Sequence, residues 1–328
     1  MRTARIQEPG SYYHIVSRVI DRRMLFALKE KERFRDLLHR VVAFSGVHLL
    51  TYAILDNHFH LLVQVPLPQT VDDATFLARM ALLYPAQIVK TYTDHLGQLR
   101  AEQNHVGAER LKAPFVRRMY SLSLFMKTLK QRLTQSYNQR HGRKGTLWEA
   151  RFKSLMTEGA GSLAAVAAYI DLNAVRAGLV DDPKDYRFCG YAEAVAGLTA
   201  ARKGLVMALA PGEDWSAAAA HYRTLLYLEG EQRVSEDGRP VRRGIDPEQV
   251  RQVVEAGGEL ALPTLLRCRV RYFTDGVVLG SRNYVDGVFQ RHRGFFSSRR
   301  TTGARKLRHS AGLYSARRLR LDVIAVPG

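Results

Sequence analysis

The first 65 residues change hydrophobic period twice, and that succession leaves few folds open. "SYYHIVSRV" (Ser11–Val19) is rich in aromatic and β-branched residues and reads as a strand. "EKERFRDLLHRVVAFSG" (Glu30–Gly46) puts Phe34, Leu37, Leu38, Val41 and Val42 on one helical face and closes at a glycine. "VHLLTYAIL" (Val47–Leu55) is a second strand. "HFHLLVQV" (His58–Val65) is a third, joined to the second by the short Asp56-Asn57 turn of a hairpin. Strand, helix, strand, strand is the first half of an α+β, ferredoxin-like (RRM-like) sandwich, an antiparallel sheet with helices packed on one face.

Residues 68–118 read as an elaboration of that plan, with helical pieces near Ala74–Tyr92 and a polar stretch around Leu96–Lys112. "SLSLFMKTLKQRLTQSYNQRHG" (Ser121–Gly142) is an amphipathic helix, with Leu122, Phe125, Leu129 and Leu133 inward and Lys127, Lys130 and Arg132 outward. A basic, glycine-punctuated segment carrying Trp148 follows (Gly142–Ser154). The spacing then predicts one helix over Gly161–Val180, capped by Ser162 and ending near Gly178. These elements make a first domain over residues 1–195. Composition changes near Thr199, and residues 200–328 read as a mostly helical, basic region. It holds a helix over Trp215–Tyr227, a charged linker around Glu229–Gly244 and a helix near Pro247–Glu255. Two helical stretches around a glycine-containing turn follow, within Leu262–Arg293. That pair reads equally as a helix-turn-helix-like module and as an accessory bundle packed on the first domain. Arg291–Arg320 carries ten Lys or Arg residues and no acidic one, as a DNA-engaging arm would.

Charge narrows the partner. Fifty Lys and Arg against 31 Asp and Glu give a net charge of +19, typical of a protein that meets a polyanion, although a generic basic surface remains the plain alternative. The two cysteines, Cys189 and Cys268, form no CxxC pair, which argues against a disulfide framework or zinc finger. The N-terminus has no apolar signal region, and no run of 18 apolar residues occurs. The expected setting is therefore the cytoplasm, close to the nucleoid and away from membranes.

On a strand, residues i and i+2 share a face, so His58 and His60 are neighbours and Phe59 points the other way. Two neutral imidazoles side by side can bind a divalent ion; the pair reads equally as two hydrogen-bonded histidines on a polar face. A magnesium or manganese site would also want an oxygen donor. In "AAYIDLNAVRAG", Tyr169 and Asn173 stand at i and i+4 and share a helical face. A hydroxyl one turn from a carboxamide suits a nucleophile beside a metal ligand, and Tyr169 taken alone suits a core position just as well.

Three segments in this order, "NHFHLLVQ", "GRKGTLWEARFKS" and "YIDLNAVRAGLVDDPKDYRFCGY", resemble the REP-associated tyrosine transposases, within the HUH single-tyrosine superfamily and its IS200-like domain. The resemblance spans roughly residues 1–195. It implies a ferredoxin-like catalytic domain that cleaves and rejoins single-stranded DNA through a 5′-phosphotyrosine. It implies Tyr169 as nucleophile, His58, His60 and Asn173 as ligands of Mg²⁺ or Mn²⁺, a hairpin substrate of palindromic repeats, and a homodimer. The family's usual proline is Ala174 here, away from the chemistry. Tyr120 and Tyr137 are rival nucleophiles without an amide one turn later in the family's frame.

The cations expected to hold DNA are Arg117, Arg118, Lys127, Lys130, Arg132, Arg140, Arg143, Lys144, Arg151 and Lys153. Trp148 reads either as a stacking platform for an unpaired base or as a core residue. Two other functions remain open. One is a domesticated hairpin-binding protein without turnover. The other is a metal-independent RNA binder, which would need aromatic residues on the exposed sheet face.

Overall fold

The computed structural model describes residues 6–159, 161–227, 233–234, 240–242, 273–307 and 312–316. Strand β1 (Tyr12–Arg18), helix α1 (Leu28–Ser45) and strands β2 (His48–Ile54) and β3 (His58–Gln64) follow the expected order. Gly46 ends α1 with φ +65, the left-handed conformation that lets the chain turn straight into β2. The elaboration is three helices, α2 (Asp73–Ala81), α3 (Ala86–Ala101) and α4 (His105–Val116). Helix α5 (Leu122–Arg140), capped by Ser121, leads to β4 (Lys153–Thr157). The first four strands lie in the order β2-β3-β1-β4 with every neighbour antiparallel, the ferredoxin-like arrangement.

Register divides the side chains between two faces. His60 stands opposite Val16 and Ala53, and Leu62 stands opposite His14 and Thr51, so these six share one face. The other face carries Tyr13, Ile15, Tyr52, Ile54, Phe59 and Leu61. It packs on α1, where the Phe59 ring meets Phe34 at 4.9 Å and Tyr52 meets His39 at 5.8 Å, and it reaches α5 through Trp148, which meets Phe59 at 5.6 Å and donates to Thr134 of α5. These are the two helices the sandwich plan requires.

A second helical layer covers the histidine face. Helix α6 (Gly161–Asp171) is followed by a break at Leu172 and the short α7 (Asn173–Arg176), where a single helix was expected. The Asn173 side chain accounts for the break, because its amide donates to the carbonyls of Tyr169 (3.2 Å) and Ile170 (3.1 Å) and so caps α6. Every α6 residue after Gly161 is buried, which is why periodicity could not say which face it offers the sheet. Helices α8 (Gly190–Val195), α9 (Thr199–Leu209) and α10 (Trp215–Tyr227) follow. Asp171, fully buried, ties this layer together. It accepts from the Thr51 hydroxyl of β2 (2.8 Å), the Tyr222 hydroxyl of α10 (2.5 Å) and the Tyr191 N–H of α8 (3.2 Å). Gly204 lets α9 approach β2 at backbone distance, since a Cβ there would lie 2.4 Å from the Leu49 carbonyl oxygen.

Beyond α10 come a small hairpin, β5 (Arg233–Val234) with β6 (Pro240–Arg242), then β7 (Val278–Gly280), α11 (Arg282–Arg291), β8 (Arg305–Lys306) and β9 (Tyr314–Ser315). The last three strands prolong the main sheet to β2-β3-β1-β4-β7-β9-β8, with β7 parallel to β4. Of the two helical stretches expected within Leu262–Arg293, residues 262–272 lie outside the described residues, Val278–Gly280 form the strand β7 where the glycine-containing turn was expected, and the second stretch is α11. The three apolar residues of β7 are too few to show a period. The helix expected near 247–255, and most of the 229–244 linker, lie outside the described residues. The described part of the basic arm folds back on itself: Arg293 donates to the carbonyls of Phe296, Ser297, Ser298 and Arg300. Among the described residues, no helix is long and apolar enough to cross a membrane.

Candidate active site

The site is built where β1 and β3 run side by side beneath α6. The His58 and His60 rings are 5.2 Å apart, with His60 buried and His58 half-buried. The Asn57 amide nitrogen donates to the Arg22 carbonyl (3.0 Å), which turns its oxygen to His58 Nδ1 at 2.7 Å. His58 Nδ1 therefore donates, and the ring's lone pair sits on Nε2. His60 Nδ1 lies 2.8 Å from Nε2 of His14, a buried β1 residue whose ring stacks on it at 5.1 Å. His14 Nδ1 in turn lies 2.5 Å from the Phe273 carbonyl oxygen. Burial, then the neighbouring His14, His58 and Arg176, holds the His60 pKa well below that of a free histidine. Burial also brings His14 down to about 4. Both are neutral at pH 7, the state in which an imidazole can ligate.

Tyr169, on α6, completes the cluster. Its ring centroid is 6.1 Å from His60 and 6.0 Å from His14, and both contacts are edge-on. Phe273 covers it at 4.8 Å, and the Arg176 guanidinium lies over its ring at 4.1 Å, leaving it 7% exposed. Burial raises the phenol pKa, while the positive charges of Arg176 and Arg18 pull it down. Asn173 stands one turn on, its amide nitrogen spent on the end of α6. The fold thus gathers His58, His60 and Tyr169 of one chain, with Asn173 at the margin. Among the described residues, no group of three or more His, Cys, Asp or Glu is arranged to hold an ion; the Asn173 carboxamide is a donor of another type. The rival tyrosines are engaged elsewhere: Tyr120 with Arg79 (3.0 Å), and Tyr137 stacked on His141 at 4.1 Å.

The expected DNA-holding residues divide into two sets. Arg117, Lys127, Lys144 and Arg151 are exposed, and Lys153 is exposed although it pairs with Asp275 at 2.8 Å. Arg143 is half-buried. The others serve the protein itself. Arg118 bonds Tyr84 and lies over Phe44, Arg132 lies over Tyr84, Lys130 donates to the Ala150 carbonyl, and Arg140 pairs with Glu30. Trp148 corrects the stacking expectation. It is 7% exposed, packs against Phe59 and Phe26, and donates its indole N–H to Thr134 Oγ1 at 3.0 Å, so its faces are already covered.

Residues 8–102 match the family model described as transposase, IS200-like. This is the family that the motifs resemble. The matched IS200-like stretch runs from before β1 to the end of α3. It contains His58 and His60, while Tyr169 and Asn173 lie beyond it. A solved structure of a REP-associated tyrosine transposase bound to a REP hairpin is also similar, at 15% identity. It covers 60% of this chain and 86% of its own, with a TM-score of 0.39. No curated protein matches the chain.

Sequence reasoning missed four members of the candidate site. His14 was legible in principle, since an antiparallel neighbour of "HFH" must place alternate residues on the same face. Arg176 stands inside the quoted "NAVRAG", three residues past Asn173, and Arg18 ends β1 opposite His58. Phe273 lies 259 residues from its partner His14, and no local pattern announces such a contact.

Proposed function

We propose that this chain is a DNA transposase-type enzyme that cuts and rejoins single-stranded hairpin DNA, with Tyr169 as nucleophile. The observation that carries the proposal is the meeting of Tyr169 with the histidine pair inside a single chain, His60 at 6.1 Å. The residues present fit a divalent ion: both imidazoles are on one face, His58 offers Nε2, and burial keeps His60 neutral. His58, His60 and Asn173 would hold Mg²⁺ or Mn²⁺, whose bound charge would polarise a phosphodiester.

The chain's own residues supply the rest. Tyr169 Oη bonds to phosphorus and gives up its proton. The bond from phosphorus to the 3′ oxygen breaks, and the released 3′ oxygen takes up a proton to become a hydroxyl, leaving a 5′-phosphotyrosine. Arg176, over the phenol ring, opposes the effect of burial on the phenol and eases its deprotonation. The bond energy stays in the ester, so rejoining needs no nucleotide cofactor. Exchange between two strands calls for a second tyrosine, hence a homodimer. The net charge of +19 suits a nucleic-acid polyanion, and the proposed location is the cytoplasm at the nucleoid.

The cover that Phe273 places on Tyr169 favours a second reading, a hairpin-DNA-binding protein without turnover. One experiment separates the two. The protein is incubated with Mg²⁺ or Mn²⁺ and end-labelled hairpin oligonucleotides carrying single-stranded flanks, then run on denaturing gels. A protease-sensitive covalent adduct that disappears in Tyr169→Phe supports the enzyme; tight binding with no adduct supports the second reading.

A further inference from the structure

A main-chain carbonyl can accept a hydrogen bond but never donate one, and that asymmetry fixes the protons in the buried histidine row. With the Phe273 carbonyl oxygen 2.5 Å away, His14 Nδ1 must carry a hydrogen. In a neutral His14, Nε2 is then a lone pair. It faces His60 Nδ1 at 2.8 Å, so that nitrogen must also carry a hydrogen. The His60 lone pair is left on Nε2. A solvent-exposed neutral histidine prefers the opposite tautomer, with the proton on Nε2, so the row works against the intrinsic preference of the side chain.

We infer that His14 is a positioning residue: together with the Phe273 carbonyl it sets the tautomer and ring orientation of His60, and thereby the nitrogen that His60 presents to a divalent ion. The inference rests on the metal-site reading of His58 and His60. It also assigns the C-terminal third a part in the site, because residue 273 belongs to it. Just past residue 273 that segment is held to β4. Asp275 pairs with Lys153 of β4 at 2.8 Å, and Val278 stands opposite Met156 of β4 in parallel register. His58 takes the same Nδ1–H form by a different route, from Asn57 on its own hairpin. The pair is thus oriented from two directions, one local and one 259 residues distant in sequence from the residue it contacts.

The test uses the full chain, metal-free and with ¹⁵N-labelled histidine, because two-dimensional NMR separates a protonated ring nitrogen from one bearing a lone pair. In the wild type, His60 is expected to show Nδ1 protonated and Nε2 unprotonated. His14→Phe keeps a flat ring and removes the acceptor, and the His60 signals should move toward the Nε2–H form. His14→Gln should restore the wild-type pattern, since its amide can donate to the Phe273 carbonyl while its oxygen accepts from His60. Mn²⁺ titration followed by electron paramagnetic resonance should show His14→Phe weakening binding by about 10–100-fold, the usual effect of removing a ligand's orienting partner. His14→Gln should stay near the wild type. A wild-type His60 protonated on Nε2, or an unchanged tautomer in His14→Phe, overturns the inference. Wild-type protein with the expected tautomer but no affinity for Mn²⁺ would instead overturn the metal-site reading. If His14→Phe does not fold, the wild-type and His14→Gln spectra still decide.

Discussion

Asp171→Asn offers a quantitative check on how α6 is seated. The carboxyl is completely buried and accepts from Thr51, Tyr222 and the Tyr191 N–H. Burial raises its pKa from an ordinary 3.8 to about 7, against the pull of those hydrogen bonds. The folded protein thus keeps this proton over a range in which the unfolded chain has lost it. The stabilising contribution is full below the unfolded value and is lost as pH rises through the folded one. At about 1.4 kcal/mol for each tenfold change in proton binding, the whole span is worth roughly 4 kcal/mol, of which about 2.5 kcal/mol falls between pH 5 and pH 8. Asparagine cannot titrate. It places an amide among hydroxyls, which costs about 1–3 kcal/mol at every pH. Urea denaturation of both proteins across that range should show the deficit of Asp171→Asn shrinking by about 2.5 kcal/mol as pH rises. Comparing the two removes the histidines and the net charge from the result. A deficit that stays constant would mean Asp171 is ionised throughout, and the account of its burial would fail.

Other expectations follow from particular contacts. Gly204→Ala should cost about 1–3 kcal/mol, because its Cβ would press on the Leu49 and Leu50 carbonyl oxygens of β2; an unchanged melting temperature would show that α9 has room to shift. Trp148→Phe should lose about 1 kcal/mol with its indole hydrogen bond and leave hairpin affinity intact. A tenfold loss of affinity would return this residue to a base-contacting role. Single-strand binding should weaken with salt by about 0.7 in log–log slope for each phosphate neutralised, and Arg151→Ala should lower the slope by about one such step; a salt-independent affinity would remove the electrostatic argument.

The β1-α1-β2-β3 order, the hairpin and the shared face of His58 and His60 were legible because each rests on local period. The packing of α6 on the histidine face was not, because a helix buried on every side carries no directional pattern. The same holds for Trp148, whose neighbouring glycines and cations suggest an exposed loop while its ring closes the core beneath Phe59. Counting cations identified a basic molecule but could not separate Lys144, facing solvent, from Arg140, paired with Glu30. Asn173 was read from its spacing and from the family resemblance, and the helix break that its own amide creates depends on a competition that neither reveals. Strands of two or three residues, as in β7, β8 and β9, leave too short a trace for any pattern to register.

The parallel union of β4 with β7 has a bearing on how such a protein could be divided. A version stopped near residue 195 would strip the outer row of β4 and leave its amides and carbonyls open to the next molecule, an invitation to edge-to-edge clumping. It would also take away the carbonyl against which His14 rests. Any attempt to transplant the first 195 residues alone would therefore have to supply a substitute border for the sheet and a new anchor for that ring.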